Sequence, residues 1–522
     1  MASVEEALGR ARAVASLSLH RSTYVPNGHQ EASITKEEVQ SLLEQRRQLD
    51  IDLQRSQHSG SVLPELLDLR QALDTQIALR NALLAPCRML PPELLSEIFL
   101  LALPDIWDHE PAGVRRLNVA RVCSSWRTTA LATPRIWNTL RFNACDNPLN
   151  NHAAAVATEM KKAGNAPLSI IIDALLPEEW VFRNRMVAED FWGDEAWNIL
   201  CSASQRWCKV TLRGVPRSAY DILTQHDFPL LHSLSLSLAP DGNTPVEVPL
   251  HVFQNAPNIT SLSIQYYSPP VEPVLPSSWK ITELTITCGE HGTGRIFTPP
   301  LAPSLAVIKA CSQTLRKCTV TANESGPFNP SHSRISLPAL EELRLSGSAI
   351  SLCRFVSAPK LTTAALRSYP DLIIDILATF RVLMDHSRGC PSLRSFAILE
   401  SFIWPIRLLA FLMFAPQITD LHLSFDDTPQ QHILPTETLL HMETLGALSR
   451  DGGSVTALTL LPNLRRLHLE LRGVGEDTEE KDREYREAVQ NIFESRRYPR
   501  VMEGTPLACL EKLTDSKGLL LE

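Results

Sequence analysis

The stretch PNITSLSI, residues 257–264, carries the spacing that decides the fold. Its apolar residues Ile259, Leu262 and Ile264 stand at positions that we number x, x+3 and x+5. The last two alternate as side chains on one face of a short strand do, and the first is placed to pack beneath them. The same triplet begins at ten places, 21 to 46 residues apart: Trp207, Leu231, Ile259, Ile281, Leu315, Leu340, Leu361, Leu393, Ile418 and Leu464.

A proline stands two positions before the start in seven of these ten copies. Because proline makes up 37 of 522 residues, chance predicts fewer than one such match. A unit this short cannot bury its apolar face alone, whereas stacked units share one core. We therefore predict an array of parallel strands over residues 143–500, with the apolar segments 371–384 and 406–415 as helices on the strand layer. The alternative is a generic α/β domain in which the leucine spacing arises by chance.

This spacing resembles the leucine-rich repeat, with one departure. The asparagine or cysteine usual at x+8 occurs once in ten copies, as Asn323. The resemblance therefore implies an irregular solenoid of parallel strands and helices, without a regular asparagine ladder. The outward position between the two inward strand residues is x+4, and we predict that it lines a target-binding surface. In the clearest copies it holds Ser235, Ser263, Arg344, Ala397, His422 and His468, of which Arg344, His422 and His468 are the candidate target-binding residues.

Residues 36–86 contain two amphipathic runs separated by the polar segment SQHSGSV, residues 56–62. Their spacing predicts two helices in an antiparallel hairpin. The alternative is that the apolar residues of these two runs mediate dimerisation through a coiled coil. We expect residues 1–35 to form a flexible tail and residues 501–522 to form a C-terminal tail. The stripe of the second run consists of Leu66, Leu69, Leu73, Ile77 and Leu84.

The segment LPPELLSEIFLLALP, residues 90–104, predicts a short helix that is apolar on nearly every side. Its two prolines suit the first turn of a helix, where a missing N–H costs nothing. A helix of this kind must be covered nearly all round. One face can pack on its own small domain, and the other then needs a different chain. One stripe is Leu94, Ile98 and Leu101, and the neighbouring stripe is Leu95, Phe99 and Ala102.

The next segment, residues 117–142, predicts a helix that ends at Pro134. Six arginines and no acidic residue occur between Gly113 and Phe142. This basic character fits a solvated face, attraction to an acidic protein partner, or, third, contact with nucleic acid. The apolar face of the predicted helix consists of Val119, Val122, Cys123, Trp126 and Ala130, and the arginines are Arg115, Arg116, Arg121, Arg127, Arg135 and Arg141.

Residues 87–142 together resemble the F-box. That family combines a Leu-Pro-x-Glu-Leu-Leu-x-x-Ile-Phe helix with a Val-Cys-x-x-Trp-Arg helix and a final Pro-x-x-Trp. The segment DIWDHEPAGVRR, residues 105–116, departs from the pattern by lengthening the connection between the halves. The resemblance implies that the box binds a Skp-type adaptor, which links it to a cullin–RING ubiquitin ligase. The adaptor-binding residues implied are Leu90, Pro91, Pro92, Leu94, Leu95, Ile98, Phe99, Val119, Val122, Cys123, Trp126 and Trp137.

The fold class expected from these features is α/β: a helical hairpin, a small all-α F-box, then an irregular leucine-rich-repeat-like solenoid. The expected function is the substrate-recognition subunit of an SCF-type (Skp–cullin–F-box) ubiquitin ligase in the cytoplasm or nucleus, resembling the large fungal type of F-box protein. The alternative is a repeat scaffold outside any ligase, in which the F-box is structural.

Several other classes of function find no support in the sequence. It contains no GxSxG, HExxH or P-loop motif, and its fifteen histidines show no metal-ligand spacing. We therefore expect no enzyme activity, cofactor or metal. A net charge of −8 over 522 residues argues against a nucleic-acid partner, and the absence of a long apolar run argues against a membrane span. The eleven scattered cysteines are expected to be reduced, buried thiols.

Overall fold

The computed structural model describes residues 29–56, 63–84, 90–103, 119–143, 152–174, 195–215, 217–237, 249–266, 274–288, 301–322, 334–368, 375–399, 405–426, 445–449, 460–472, 479–498, 500–502, 505–515 and 520–521. The chain divides into two compact units. The first covers residues 1–140 and 157–167, and the second covers residues 141–156 and 168–522. Most of the predicted N-terminal tail lies outside the described residues.

Helices α1 to α11 are, in chain order, His29–Ser56, Leu63–Leu83, Pro92–Leu101, Ser124–Leu131, His152–Ala163, Glu195–Ser202, Arg217–Leu223, Ala302–Ala310, Ile376–His386, Pro405–Met413 and Glu479–Arg497. Strands β1 to β18 are Thr139–Asn143, Leu168–Asp173, Trp207–Arg213, Ser233–Ser237, Ser261–Tyr266, Glu283–Cys288, Lys317–Ala322, Ile335–Ser336, Glu342–Gly347, Val356–Ser357, Thr363–Arg367, Ser395–Leu399, Asp420–Asp426, Arg466–Arg472, Arg500–Met502, Thr505–Leu507, Lys512–Asp515 and Leu520–Leu521.

Helices α1 and α2 form the predicted antiparallel hairpin. Arg46 pairs with Asp74 at 2.8 Å and Asp50 pairs with Arg70 at 3.0 Å, so the pairing runs in opposite directions along the two helices. These ion pairs are exposed and contribute little, whereas the leucines between the helices bury apolar surface. Helix α1 begins at His29, earlier than the predicted start at 36. The leucine cluster consists of Leu49, Leu53 and Leu73, with Leu42, Leu66 and Leu69 packed against it.

Fourteen strands form one large sheet in the order β1-β2-β3-β4-β5-β6-β7-β9-β11-β12-β13-β14-β17-β18. Neighbours from β2 to β17 pair in parallel, and β18 pairs antiparallel with β17. The predicted parallel strand array is therefore confirmed. Two further sheets have two strands each: β8 pairs with β10, and β15 pairs with β16.

The register of the sheet places equivalent positions of all ten copies side by side. Every x residue is at most 1% exposed, and every x+3 and x+5 residue is buried. Because side chains alternate along a strand, this burial leaves x+4 on the opposite face. The aligned x+3 residues are Val210, Leu234, Leu262, Leu284, Cys318, Leu343, Ala364, Phe396, Leu421 and Leu467.

In two copies an asparagine side chain at x−1 joins the copy to the preceding one. The Nδ2 of Asn258 donates to the carbonyl oxygen of Pro229 at 2.7 Å, and Nδ2 of Asn463 donates to that of Pro416 at 2.9 Å. The carbonyl belongs in both cases to the proline at x−2 of the preceding copy. Each bond gives the carbonyl oxygen of that proline a hydrogen-bond donor from the next copy.

The prediction of a C-terminal tail at 501–522 is wrong for its described residues. Strand β17 pairs in parallel with β14, with Leu513 opposite Leu467, and Leu510 and Leu513 are buried. They repeat positions x and x+3. The triplet pattern does not predict this copy because Asp515 occupies x+5, where the pattern requires an apolar residue. The strands β1 and β2 also precede the first complete triplet.

Helices α9 and α10 were predicted from their apolar composition, and both are present. Phe380 of α9 lies 5.2 Å from Phe396 of β12, and Phe411 of α10 lies 4.9 Å from the same ring, between centroids. Aromatic rings at these separations pack favourably beyond the area that they bury. The two helices therefore cover the inward face of the sheet at this copy.

The described cysteines are free thiols, and six of them are buried. Burial raises the pKa of Cys201 and of Cys318 to about 12, and that of Cys390 to about 11. Buried neutral thiols are poor nucleophiles, since the thiolate is the reactive form. These side chains therefore serve as small core residues.

The raised thiol pKa values predict alkaline destabilisation. Above about pH 9 the unfolded chain loses thiol protons that the folded chain keeps, so the free energy of unfolding falls as pH rises. The slope grows as the unfolded thiol ionises and approaches about 1.4 kcal/mol per pH unit for each buried thiol near pH 10. Urea unfolding at pH 8, 9 and 10 with reductant measures it. Cys318→Ala should reduce the slope by one thiol's share, and an unchanged slope would contradict this reasoning.

Candidate functional site

Helix α3 is the first candidate surface, and its sequence explains its bounds. Pro91 precedes the helix with an extended backbone, and its carbonyl accepts from the N–H of Leu95 at 3.0 Å. Pro92 occupies the first turn, where Glu93 also places a negative charge beside the positive end of the helix dipole. The helix is thus held at its start by local sequence alone.

One side of α3 belongs to the core of the first unit. Leu95 and Phe99 are each 2% exposed, and the Phe99 ring lies 4.9 Å from that of Trp126. The indole Nε1 of Trp137 donates to the carbonyl oxygen of Ala130 at 2.7 Å, which links the 3₁₀ turn after α4 to the end of that helix. The buried cluster is Leu95, Phe99, Val119, Ala130 and Ile136, with Leu90, Leu100, Leu103, Ala120, Trp126 and Trp137 packed against it.

The other side of α3 is apolar and exposed. Leu94, Ile98 and Leu101 are 53%, 43% and 85% exposed, and their spacing places them on one face of the helix. We call these three residues the α3 face. Val122 and Leu131 are also exposed apolar side chains of this unit. Leu95 and Phe99 of the neighbouring predicted stripe are buried, whereas Ala102, which the sequence placed in that stripe, is exposed.

The sequence prediction for the second half of the unit needs correction. Val119 to Ala130 were expected to share one helical face, but α4 begins at Ser124 and Val119 lies in a separate 3₁₀ turn, Val119–Arg121. Cys123 caps α4 instead, since its Sγ accepts from the N–H of Trp126 at 3.5 Å. Val122 consequently points away from the core.

The implied adaptor-binding residues therefore fall into three groups. Leu95, Phe99 and Val119 are buried in the unit's own core, so they support the surface and cannot be contacted from outside. The partly buried residues are Leu90, Cys123, Trp126 and Trp137, and the exposed residues are Pro91, Pro92, Leu94, Ile98 and Val122. The implied set omitted Leu101, although the i, i+7 spacing from Leu94 indicated it, and Leu131, for which the sequence carried no signal.

The basic segment is only partly described. Arg115 and Arg116 lie outside the described residues. Arg127 and Arg135 are exposed, and Nε of Arg127 donates to the carbonyl oxygen of Ala120 at 2.9 Å. Arg127 therefore links α4 to the 3₁₀ turn by a hydrogen bond, and the rest of its side chain is exposed.

The second candidate surface is the row of x+4 side chains on the outward face of the sheet. The predicted residues Arg344, His422 and His468 all lie in it, and none is buried. His422 and His468 are direct partners on β13 and β14. Arg344 lies on β9, three strands from His422, or about 14 Å at the usual strand spacing. The row is Ser235, Ser263, Thr285, Thr319, Arg344, Ala365, Ala397, His422, His468 and Thr514. Thr211, the x+4 residue of the first copy, is buried and does not belong to it.

The two histidines border a cavity of about 360 Å³ on this face. Their ring centroids are 4.2 Å apart with the planes nearly perpendicular, and Nδ1 of His468 is hydrogen-bonded to Oγ1 of Thr514. Asp420 pairs with Arg466 at one side. The lining residues are Ser395, Asp420, Leu421, His422, Arg466, Leu467, His468, Lys512 and Thr514.

Comparison with known proteins adds no family to this picture. Neither a scan against protein-family models nor a search of curated proteins finds a match to the chain. Among the helices in the described part of the chain, none has both the length and the apolar character that crossing a membrane requires.

Proposed function

We propose that this chain is the substrate-recognition subunit of an SCF-type ubiquitin ligase, in which residues 87–142 bind a Skp-type adaptor. The observation that carries the proposal is the α3 face. Leu94, Ile98 and Leu101 stay exposed although Leu95 and Phe99 of the same helix are buried. An exposed apolar stripe on an ordered helix is typical of a protein-binding surface.

The size of the stripe is adequate for a binding hot spot. Burying a leucine or isoleucine that was exposed contributes roughly 1.5–3 kcal/mol, and three such residues can dominate an interface. The helix is already held by its proline start and by its buried side, so binding requires little ordering of the chain. Exposed Arg127 and Arg135 of the same unit favour an adaptor with acidic groups at its contact surface.

A binding titration of the full chain with a purified Skp-type adaptor tests the proposal. We expect a saturable one-to-one complex, and we expect a cullin to co-purify when the adaptor is present. Absence of binding at adaptor concentrations of about 100 µM would contradict the proposal. A stable complex with the adaptor that never captures a cullin would instead support a scaffold outside any ligase.

The second part of the proposal concerns the strand array. We propose that it is a leucine-rich-repeat-like solenoid whose x+4 row holds the target protein. The support is the shared register of the copies, which aligns partly or fully exposed x+4 side chains of nine copies in one row. A row of this kind can present several side chains to one extended ligand, and each strand contributes one of them.

Substituting Arg344, His422 and His468 together by Ala should weaken target capture at least about 10-fold, since a combined loss of about 1.4 kcal/mol over the three contacts suffices for that factor. Adaptor binding should be unchanged, because the substitutions lie in the other unit. Affinity capture with quantitative mass spectrometry measures the effect. The control is Asp385→Ala, an exposed residue of α9 outside the row. Equal capture by the folded triple variant and the wild type would place recognition elsewhere.

A further inference from the structure

The register of β13 and β14 brings the side chains of His422, His468 and Glu470 together. His422 and His468 are 46 residues apart along the chain, yet they are directly opposed partners in the sheet. Glu470 lies two residues after His468, so it points to the same face. It is the diagonal neighbour of His422, a position within reach of long side chains.

The distances among these groups suit a shared cation. The Nε2 of His422 lies 3.8 Å from Oε2 of Glu470, and one ligating atom from each of the three residues falls within 4.8 Å of the others. Two ligands about 2.1 Å from a tetrahedral Zn²⁺ lie about 3.4 Å apart. The observed separations of up to 4.8 Å exceed this value by at most about 1.4 Å, which side-chain rotation would have to close when the ion binds.

The kinds of ligand atom select the class of metal. Two imidazole nitrogens and one carboxylate oxygen suit Zn²⁺ and neighbouring divalent transition metals, whereas Mg²⁺ and Ca²⁺ prefer oxygen ligands alone. Three protein ligands leave a fourth position of a tetrahedral Zn²⁺ open. The cavity beside the two histidines leaves room for water or another donor at that position.

Thr514 supplies a contact of the kind that orients metal-binding histidines. Its Oγ1 is hydrogen-bonded to Nδ1 of His468. In the tautomer that donates from Nδ1, the lone pair is on Nε2, which is then the ligating nitrogen. This contact comes from β17, the strand that the triplet pattern does not predict.

The charges near the three groups permit a bound cation. Asp420 and Arg466 pair with each other, so these two charges of the cavity wall offset one another. Glu470 brings one negative charge beside His422. Lys512 also lines the cavity, and its charge lowers the affinity expected for a cation without removing any ligand.

We propose that His422, His468 and Glu470 form a binding site for a divalent transition-metal ion of the Zn²⁺ type, with Thr514 as a positioning residue. The site is built entirely from β13, β14 and β17. The proposal does not depend on adaptor binding and would stand if residues 87–142 bound nothing.

Titration of the tag-free, reduced full chain with Co²⁺, followed by visible absorption and by displacement with Zn²⁺, tests the site. We expect one equivalent to bind in the wild type and this binding to be lost in His422→Ala/His468→Ala. Glu470→Gln and Thr514→Val should each bind about 10-fold more weakly. The control is His232→Ala, an exposed histidine beside β4, which should bind as the wild type does. Wild-type binding in the double variant, or no binding in the wild type, overturns the proposal.

X-ray absorption of the Zn²⁺-loaded wild type keeps the proposal testable if the double variant does not fold. We expect nitrogen and oxygen neighbours at about 2.0–2.1 Å with the outer-shell signature of imidazole. Sulfur neighbours at about 2.3 Å would mean that cysteines bind the ion, and would overturn the assignment because the three residues contain no sulfur.

Discussion

The variant Leu94→Glu/Ile98→Glu is expected to bind a Skp-type adaptor at least about 100-fold more weakly than the wild-type chain. Both side chains are exposed in the free protein, at 53% and 43%, so both are available to a partner. Replacement removes two apolar contacts and introduces two charges that a close interface would have to desolvate. Two contacts that each contribute about 1.4 kcal/mol or more already account for this factor.

Stability measurements separate this effect from unfolding. Exposed substitutions usually change the free energy of unfolding by less than about 0.5 kcal/mol, so the double variant should keep its thermal midpoint. Leu95→Ala, on the buried side of the same helix, should instead destabilise the unit by about 2–5 kcal/mol. Glu37→Gln is the neutral control, because Glu37 is exposed on α1 of the same unit and away from α3 in sequence. Undiminished adaptor affinity in the folded double variant would rule out the α3 face as the docking surface.

Arg496→Ala is expected to lower the free energy of unfolding of the second unit by about 3–5 kcal/mol. Arg496 lies in α11 and is completely buried. Its guanidinium donates to the carbonyl oxygens of Leu448 at 2.7 Å, Leu460 at 3.0 Å and Leu461 at 3.1 Å. The change leaves three buried acceptors without these donors, and each such loss costs about 1–3 kcal/mol. It also leaves a cavity.

The neighbouring residue provides the control for this prediction. Arg497 is exposed, with its guanidinium 5.5 Å from the centre of the Phe493 ring. Arg497→Ala should therefore change stability by less than about 1 kcal/mol. Urea unfolding followed by tryptophan fluorescence, to which the buried Trp197 and Trp207 of this unit contribute, measures the change. Equal stability of the two variants would show that Arg496 does not hold the residues before β14 in place.

Much of the sheet could be predicted because its pattern repeats. A buried triplet at x, x+3 and x+5 is visible in sequence, and ten copies locate ten strands together with their inward faces. The two stripes of α3 were visible for the same reason, since helical spacing separates Leu94 from Leu95 by about 100° around the axis. Local periodicity thus predicts which side chains share a face.

Features that depend on a single residue or on register could not be predicted. Strand β17 was not predicted because Asp515 stands at x+5, where the triplet requires an apolar residue. Val122 was assigned to a helical face, but α4 begins only after Cys123, its N-cap, so Val122 lies outside the helix. Glu470 carried no signal at all, because its proximity to His422 arises only when β13 and β14 are aligned. Arg496 likewise looks like one more arginine in a charged helix until its carbonyl partners are known.

Hydrogen–deuterium exchange of the full chain, with and without a saturating Skp-type adaptor, tests the central claim most directly. Residues 92–101 contain the α3 face, and their backbone amides should exchange more slowly in the presence of the adaptor. Peptides from the α1–α2 hairpin serve as the internal reference. Strong protection at 92–101 is the expected result. Unchanged exchange at 92–101 in the presence of saturating adaptor would contradict the assignment of this helix as the docking surface.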